Sequence, residues 1–240
     1  MKDIYRNRSR DEAAEKIEYY IIKNKLAPHT KIFSERDMCD LWDFNRTTLR
    51  AAIRRLTVEG KLYQKKGSGT YVTQPKLTRN LQDLTALSVA VKDSGRTITN
   101  KVLSVDIMLA NKQLMQKLHL RLGHKVHALT RLRYLDGEPV TIENSFMDYE
   151  RFSNLTNHDF EQESLYEVIE NESKVQIVRG EERVGIAYVT DYEAELLKIE
   201  PGKAVFYLSG ITYDEEGEPV EYFKSIVRAD RMRFASVLKR

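Results

Sequence analysis

The sequence is poor in the residues and patterns that mark secreted, membrane-spanning and metal-dependent proteins. Its 240 residues include one cysteine, Cys39, which excludes an intramolecular disulfide and a zinc site built from cysteines. No apolar run approaches the roughly 18 residues that cross a bilayer, and charges are spread through residues 1–30, unlike a cleaved secretory signal. These absences predict a soluble protein of the reducing cytoplasm.

The net charge is small, +3, but it is unevenly distributed along the chain. Residues 1–80 hold 18 basic and 10 acidic side chains, whereas residues 81–240 hold 21 basic and 26 acidic ones. A chain of this length forms one large domain or two small ones, and the opposite charges favour two domains with different partners. The basic segment is a candidate for binding nucleic acid, although two ordinary solvated surfaces would give the same counts.

Residues 1–73 are predicted to form a winged helix-turn-helix. Apolar residues recur at helical spacing over 9–21, and a serine precedes an acidic residue by three positions at the start of a second, shorter helix over 34–41. A third helix is predicted over 46–59, where a glycine follows the last apolar position. A hairpin with a turn rich in lysine and glycine over 65–69 supplies the wing.

The N-terminal end of the third helix is the candidate DNA-reading surface, because a recognition helix enters the major groove with that end toward the bases. Arginine binds guanine through two hydrogen bonds, and threonine contacts a base or a thymine methyl. Nearby basic side chains, hydroxyls and the wing turn suit phosphates. The candidate DNA-binding residues are Ser34, Arg36, Arg46, Thr47, Thr48, Arg50, Lys65, Lys66, Gly67 and Gly69. The alternative is that these arginines only solvate the outer face of an amphipathic helix.

Residues 74–83 are polar, contain Pro75 and are predicted to link the first domain to a second one over 84–240. The elements predicted in the second domain are helices over 86–92 and 112–119 and strands over 102–108 and 175–189.

The second domain also contains an internal repeat. The pattern of leucine, glycine and valine over 118–129 returns over 197–208, and Gly-Glu-Pro-Val occurs at 137–140 and again at 217–220. A period near 80 is too long for a solenoid, so we predict one unit of helix, strand, turn and strand used twice within an α+β domain.

Arg131 and Arg133 lie two apart on a predicted strand and therefore share one face. The corresponding residues of the second copy are Gly210 and Thr212, so the repeated architecture does not itself require arginine. Two parallel guanidinium groups in a pocket suit a carboxylate or a phosphate. The alternative is cross-strand pairing with Glu143.

Enzyme chemistry is not supported by any motif. The sequence has no glycine-rich phosphate loop followed by Lys-Ser/Thr and no Ser, His and acid arrangement that would activate a nucleophile. His119, His124 and His127 are clustered, but their spacing straddles a predicted helix end and a strand, which makes a poor metal site. We therefore predict neither a catalytic residue nor a metal nor a cofactor.

Four separated motifs resemble the DNA-binding domain of the GntR family of bacterial transcription regulators. They are the runs Phe33–Met38, Asn45–Arg50, Leu56–Gly60 and Lys66–Val72. The remainder resembles the effector-binding UTRA domain of the HutC subfamily. The resemblance implies two domains: a winged helix-turn-helix, and an α+β domain with an antiparallel sheet like that of chorismate lyase.

The chain departs from the family pattern at two positions of the first domain. Phe33 replaces a usual proline, and Ser68 replaces a usual arginine between the two wing glycines. Without that arginine the wing has one fewer donor for the minor groove. We therefore expect the protein to depend more on the major groove, or on Lys65 and Lys66.

The resemblance also implies an effector pocket. Its residues would be Ser88, Arg131, Arg133, Glu143, Ser164, Tyr166 and Glu221, with the glutamates binding hydroxyls or an amine and the others an anionic group. A pocket tyrosine of some relatives falls at Val227 here. The implied function is a repressor that binds a palindromic operator as a homodimer and is released by a small anionic metabolite such as a sugar phosphate or carboxylate. The alternative is a regulator whose second domain is only a dimerisation scaffold.

Overall fold

The computed structural model describes residues 9–81, 91 and 95–236. It divides the chain into two units, with the boundary between Lys76 and Leu77. Among the helices of the described residues, none combines the length and the apolar character that a membrane span needs.

The first unit consists of three helices and a two-stranded wing. Its elements are α1 (Ser9–Lys23), α2 (Glu35–Trp42), α3 (Arg46–Val58), β1 (Leu62–Lys65) and β2 (Gly69–Val72). The two strands are antiparallel, with Leu62 opposite Val72. The core is formed by apolar residues of all three helices and the wing, among them Ile17, Met38 and Leu49. The predicted winged helix-turn-helix is confirmed.

Local hydrogen bonds fix the turn between α2 and α3. Ser34 and Asp37 form a reciprocal capping box at the start of α2. Asp43 ends α2 in the left-handed conformation, with φ of 55°. The Asn45 side chain then accepts a hydrogen bond from the Thr48 backbone N–H at 2.8 Å, which starts α3. These caps determine where the N-terminal end of α3 leaves the turn.

The second unit is built on a six-stranded antiparallel sheet, with two further strands outside it. The strands of the unit are β3 (Leu77–Asn80), β4 (Ile98–Leu109), β5 (Lys125–Leu135), β6 (Glu138–Asp148), β7 (Ile177–Tyr188), β8 (Ala204–Asp214), β9 (Pro219–Val227) and β10 (Met232–Ala235). The large sheet has the order β4-β5-β6-β9-β8-β7, and β3 pairs with β10 in a separate parallel ribbon. The helices are α4 (Lys112–Lys117), α5 (Leu165–Ser173) and α6 (Asp191–Leu197), with one 3-10 turn at Leu155–Asn157.

The strand order shows the internal repeat directly. The segment β4-α4-β5-β6 is followed by β7-α6-β8-β9, and the two halves meet at the central pair of β6 and β9. Ile98 and Ile177 begin β4 and β7, and Leu109 and Tyr188 end them, each pair separated by 79 residues. The repeating unit is therefore one strand longer at its start than the predicted helix, strand, turn and strand.

The two faces of the sheet are covered by different elements. Val126 of β5 packs in a cluster with α4, and Leu132 packs in a cluster with α6. Leu129, on the opposite face of the same strand, packs with α5 and the segment before it. Arg131 and Arg133 share the face of Leu129, because alternate residues of a strand face the same side.

Two predicted elements differ from the structure. Four residues of the predicted linker over 74–83 form β3, because they pair with β10 near the other end of the chain, a contact that no local pattern reveals. The predicted helix over 112–119 ends at Lys117, and His119 has a positive φ of 54°. The predicted helix over 86–92 lies outside the described residues except for Val91.

Candidate DNA interface and ligand cavity

The N-terminal end of α3 presents its polar residues to solvent. Leu49 is fully buried in the core, whereas Arg46, Thr47 and Arg50 are exposed and Thr48 is half-buried. The side chains of Arg46 and Arg50 are 67% and 62% exposed. The structure thus brings four predicted DNA-binding residues onto one accessible helix end.

A carboxylate that we did not predict lies beneath the two arginines. The Nε of Arg50 donates to Glu35 Oε2 at 2.8 Å, and the Nε of Arg46 lies 3.7 Å from the same oxygen. The side chain of Glu35 is 25% exposed. No sequence signal identified it, because the contact joins two helices through the turn between them.

The start of α2 contains the two predicted phosphate-binding residues. Ser34 donates its hydroxyl to Asp37 Oδ2 at 2.7 Å and accepts from the Asp37 N–H at 3.2 Å. These bonds lower the pKa of Asp37, so the Ser34 hydroxyl is committed to capping. Arg36 is exposed on the first turn of the same helix.

The wing combines lysines with stacked tyrosines. Tyr63 and Tyr71 stack with ring centroids 5.5 Å apart, and the Lys65 ammonium lies 5.9 and 5.3 Å from their centres. The Ser68 hydroxyl lies 2.5 Å from the Tyr71 hydroxyl. Ser68 therefore contributes to wing structure, at the position where the family pattern has arginine.

Lys31 is an unpredicted basic residue at the wing. Its Cε would lie 2.6 Å from a Cβ placed on Gly69, which has a φ of 132°. Gly69 therefore both turns the chain and leaves room for the lysine stem. Lys31, Lys65 and Lys66 are all exposed, so two lysines of the wing and one lysine beside it present accessible positive charges.

The second unit contains a cavity of about 1060 Å³ over the sheet face of Arg131. The predicted effector residues that line it are Arg131, Arg133, Glu143, Ser164, Tyr166 and Glu221. Ser88 lies outside the described residues. Val227, where some relatives have tyrosine, also lines the cavity and is buried.

Glu143 accepts hydrogen bonds from both arginines of β5. Oε1 of Glu143 accepts from Arg131 Nη2 and, at 2.5 Å, from Arg133 Nη2, while Arg133 Nη1 donates to Asn100 at 3.2 Å. Burial opposes ionisation of Glu143, but the charges of Arg133 and Arg131 outweigh it and lower its pKa to about 2. Pairing with Glu143 and a location in a cavity were the two alternatives for Arg131 and Arg133, and the structure contains both.

A second carboxyl in the cavity has the opposite electrostatic environment. Tyr166 donates its hydroxyl to Glu221 Oε2 at 2.7 Å. Burial and the nearby Glu143 charge raise the pKa of Glu221. Ser164 is the N-cap residue directly before α5, and its side chain makes no capping hydrogen bond there. The cavity thus places an ionised carboxylate, a carboxyl with raised pKa and two guanidinium groups together.

Several polar cavity residues were not predicted as ligand contacts. Arg79, Thr141 and Thr212 line the cavity. Arg79 Nε, Arg131 Nε and the hydroxyls of both threonines are buried without a hydrogen-bond partner among the described residues. Arg79 was missed because it lies in the polar segment interpreted as a linker. Such groups are costly to leave unpaired, which favours a polar ligand.

The histidines that lie close together in the sequence have different hydrogen-bond partners. His127 is buried and donates Nε2–H to the Phe152 carbonyl at 2.9 Å, and burial lowers its pKa. His124 contacts Asp148 at 2.8 Å. Within the described part of the chain, no group of three His, Cys, Asp or Glu side chains is arranged to hold a metal.

Replacing Glu143 and Glu221 with glutamine, one at a time, should change the stability of the protein in opposite directions. The pKa of Glu143 in the folded protein lies below its usual 4.5. The ionised carboxylate therefore stabilises the folded state above pH 4.5, and this stabilisation is lost as the pH falls toward 2. Glu143→Gln should therefore lower the free energy of unfolding at pH 7 by about 3 kcal/mol. Glu221→Gln should raise it, because the raised pKa of Glu221 makes its ionised form unfavourable. Urea unfolding at pH 7 and pH 4 measures both changes in the free energy of unfolding. Changes of the same sign at pH 7 would contradict the opposite electrostatic environments of Glu143 and Glu221.

An exposed basic helix-turn-helix in one unit and a polar cavity in the other are the two parts of a DNA-binding transcription regulator with an effector-binding domain. Residues 9–72 match the bacterial regulatory proteins, gntR family, and residues 93–233 match the UTRA domain. The chain therefore belongs to the GntR family of bacterial regulators, in the group with a UTRA domain. The family and the two-domain fold predicted from the sequence are confirmed.

Similar proteins span nearly the whole chain. The HTH-type transcriptional repressor NagR of Bacillus subtilis is 30% identical over 226 residues, covering 94% of this chain and 93% of NagR. The Escherichia coli repressor MngR, of a mannosyl-D-glycerate transport/metabolism system, is 26% identical, covering 100% and 97%. The crystal structure of PhnF from Mycobacterium smegmatis has a TM-score of 0.71 at 23% identity, covering 95% and 99%. The names of these relatives support a repressor.

Proposed function

We propose that this protein is a repressor that binds a two-fold symmetric operator as a homodimer and is released by a small anionic metabolite. The observation that carries the proposal is the separation of two arginine pairs. Arg46 and Arg50 are exposed on a helix end, whereas Arg131 and Arg133 line a cavity in the other unit. The first pair is suited to a duplex, and the second to a ligand small enough to be enclosed.

The DNA contacts follow from the chemistry of each surface. Arg46, Thr47, Thr48 and Arg50 contact bases in the major groove, since they occupy the end of α3 that such helices insert. The lysines of the wing and Arg36 contact phosphates, which orient the domain without reading sequence. Gly67 and Gly69 keep the wing narrow, and Ser34 acts through the first turn of α2.

A homodimer is supported by the size of the first unit and by apolar residues on the second. One winged domain covers only a few base pairs, and a two-fold symmetric operator requires two copies. Val184, Ile186 and Tyr188 alternate along edge strand β7, and the last two are 75% and 72% exposed. An exposed apolar strand edge invites pairing with another chain. The proposed organisation is a DNA-binding domain over 1–73, a coupling segment over 74–83 and an effector and dimerisation domain over 84–240.

The proposed effector carries an anionic group, as a sugar phosphate or a carboxylate does. Arg131 and Arg133 would bind that group, joined by Ser88, Ser164 and Tyr166, while Glu143 and Glu221 bind hydroxyls or an amine. The relative MngR is named for a mannosyl-D-glycerate system, which is consistent with a sugar-derived ligand.

Coupling between the two functions is proposed to run through β3. This strand follows directly after the first unit, and its Arg79 both lines the cavity and donates from Nη1 to Glu182 Oε1 at 2.8 Å. If the effector binds the DNA-free protein more tightly than the DNA-bound protein, it must weaken DNA binding. The factor of weakening equals the ratio of those two effector affinities, by thermodynamic reciprocity.

Two measurements test the proposal. Duplexes selected from a random library should bind with an affinity that falls steeply with salt, because lysine and arginine contacts release counterions from DNA. A flat salt dependence would contradict phosphate binding. A thermal-shift screen of sugar phosphates, amino sugars and carboxylates should find a ligand that also releases the selected duplex. If no ligand of these classes stabilises the protein, the scaffold alternative for the second domain replaces the effector proposal.

A further inference from the structure

We propose that Glu35 is the residue that sets discrimination between operator and random DNA, by holding Arg46 and Arg50 in position and offsetting part of their charge. This inference rests on the proposed function, since it concerns how the same helix end reads a duplex. It assigns a role to a carboxylate that would otherwise only repel phosphates.

The position of Glu35 is fixed by the fold. It is the first residue of α2 and lies within the capping box that Ser34 and Asp37 form. Arg46 and Arg50 lie one turn apart on α3 and meet the carboxylate from the other side of the turn. Both arginines direct Nε at Oε2, at 3.7 and 2.8 Å. The Glu35 side chain is less exposed than either arginine side chain, so the arginines extend over it toward solvent.

This geometry leaves the outer edge of each guanidinium available. Arg50 donates Nε to Glu35 and Arg46 places Nε at ion-pair distance from it, and within the described residues the two Nη groups of each arginine remain available for DNA. Those groups form the pair of donors that binds O6 and N7 of guanine. An arginine held through Nε has fewer conformations to lose when it binds a base. Glu35 therefore favours base contacts in particular.

The charge of Glu35 acts in the other direction on random DNA. Sequence-independent affinity comes from the positive charges that replace counterions on phosphates. One carboxylate between two guanidinium groups reduces that attraction, and it discourages either arginine from swinging toward the backbone. Removing the charge should weaken operator binding and strengthen random binding, a pair of opposite effects that a purely structural residue would not produce.

The chain offers a matched control on the same helix. Arg55 donates Nε to Glu59 at 2.7 Å, so this pair has the same donor and acceptor groups as the pair of Arg50 and Glu35. It lies at the C-terminal end of α3, away from the proposed base-reading end. Glu59→Gln removes the same charge from the same unit.

The test measures dissociation constants of the full-length wild type, Glu35→Gln and Glu59→Gln for two duplexes of equal length. One is a sequence selected by the wild type from a random library, and the other is an unselected sequence. For Glu35→Gln we expect operator affinity to fall about fivefold and random affinity to rise about twofold, with a salt slope on random DNA steeper by about 0.9. Glu59→Gln should keep the wild-type ratio of the two affinities.

A second variant separates charge from position. Glu35→Asp keeps the negative charge but is too short to reach both arginines, so it should keep the low random affinity and lose operator affinity. An unchanged ratio in Glu35→Gln would overturn the inference while leaving the proposed function intact. A preference altered at one base position alone would overturn it too, since it would show direct base contact by Glu35. A wild type that selects no sequence would overturn the proposed function and the inference together.

Discussion

Replacing Arg133 with alanine should abolish effector-induced release of DNA while leaving operator affinity near that of the wild type. Arg133 lines the cavity, and its guanidinium donates to Glu143 and Asn100. A bound anion would use the same group, because arginine matches a carboxylate or phosphate with two parallel donors. The residue belongs to the second unit, so the DNA-reading end of α3 should not change. Gel shifts with and without the effector from the thermal-shift screen measure this result.

Arg133→Ala also affects folding, so a second variant is needed to separate stability from ligand binding. Without Arg133, buried Glu143 loses one of its two cationic partners, and breaking a buried pair costs about 3–5 kcal/mol. Arg133→Met keeps an apolar stem and leaves Glu143 paired with Arg131, so it should lose less stability than Arg133→Ala without restoring induction. Arg151→Met, which breaks the ion pair with Asp214 outside this cavity, is the control that should lose stability but remain inducible. Induction that survives in Arg133→Met would exclude Arg133 from the anion site.

The first unit could be predicted from sequence because its signals are local. The capping box at Ser34 and Asp37 and the glycines of the wing act on residues within a few positions. Each of these signals consists of particular residue types at a fixed spacing in the sequence. The helix bounds accordingly differ from the predicted ones by one or two residues.

The second unit was predictable where strand geometry is periodic. Arg131 and Arg133 were placed on one face by their spacing, and the register pairs Arg131 with Glu143. The duplicated segment was predicted, and so were strands at β4 and β7, but these two strands were not recognised as part of the repeat because their sequences share few residues. The remaining pocket residues came from the resemblance, and six of the seven line the cavity that the structure contains.

The contacts that sequence reasoning missed join residues far apart in the chain. Glu35 meets Arg50 across the helix turn, and Arg79 enters the cavity because β3 pairs with β10. Gly210 is another case: a Cβ there would lie 2.5 Å from the Phe223 ring and 2.4 Å from the Glu181 carbonyl. The second copy has glycine opposite Phe223 for packing, which explains why it does not repeat Arg131.

Replacing Arg46 or Arg50 with alanine should weaken operator binding by about 1–3 kcal/mol each, about 5- to 150-fold. Random duplexes should lose less, since each arginine would give up base contacts in addition to its general charge. The double variant should lose less than the sum of the two single losses. Both arginines share Glu35, and residues in one ion-pair network are not additive.

Arg54→Ala provides the control for charge alone. Arg54 is exposed on the same helix, one turn beyond Arg50. Its loss removes one positive charge near DNA, so it should weaken operator and random binding by similar factors. Competition gel shifts of both duplexes at one salt concentration compare the four variants. If Arg46→Ala and Arg50→Ala also lower the two affinities equally, these residues contact phosphates only, and sequence is read elsewhere on the domain.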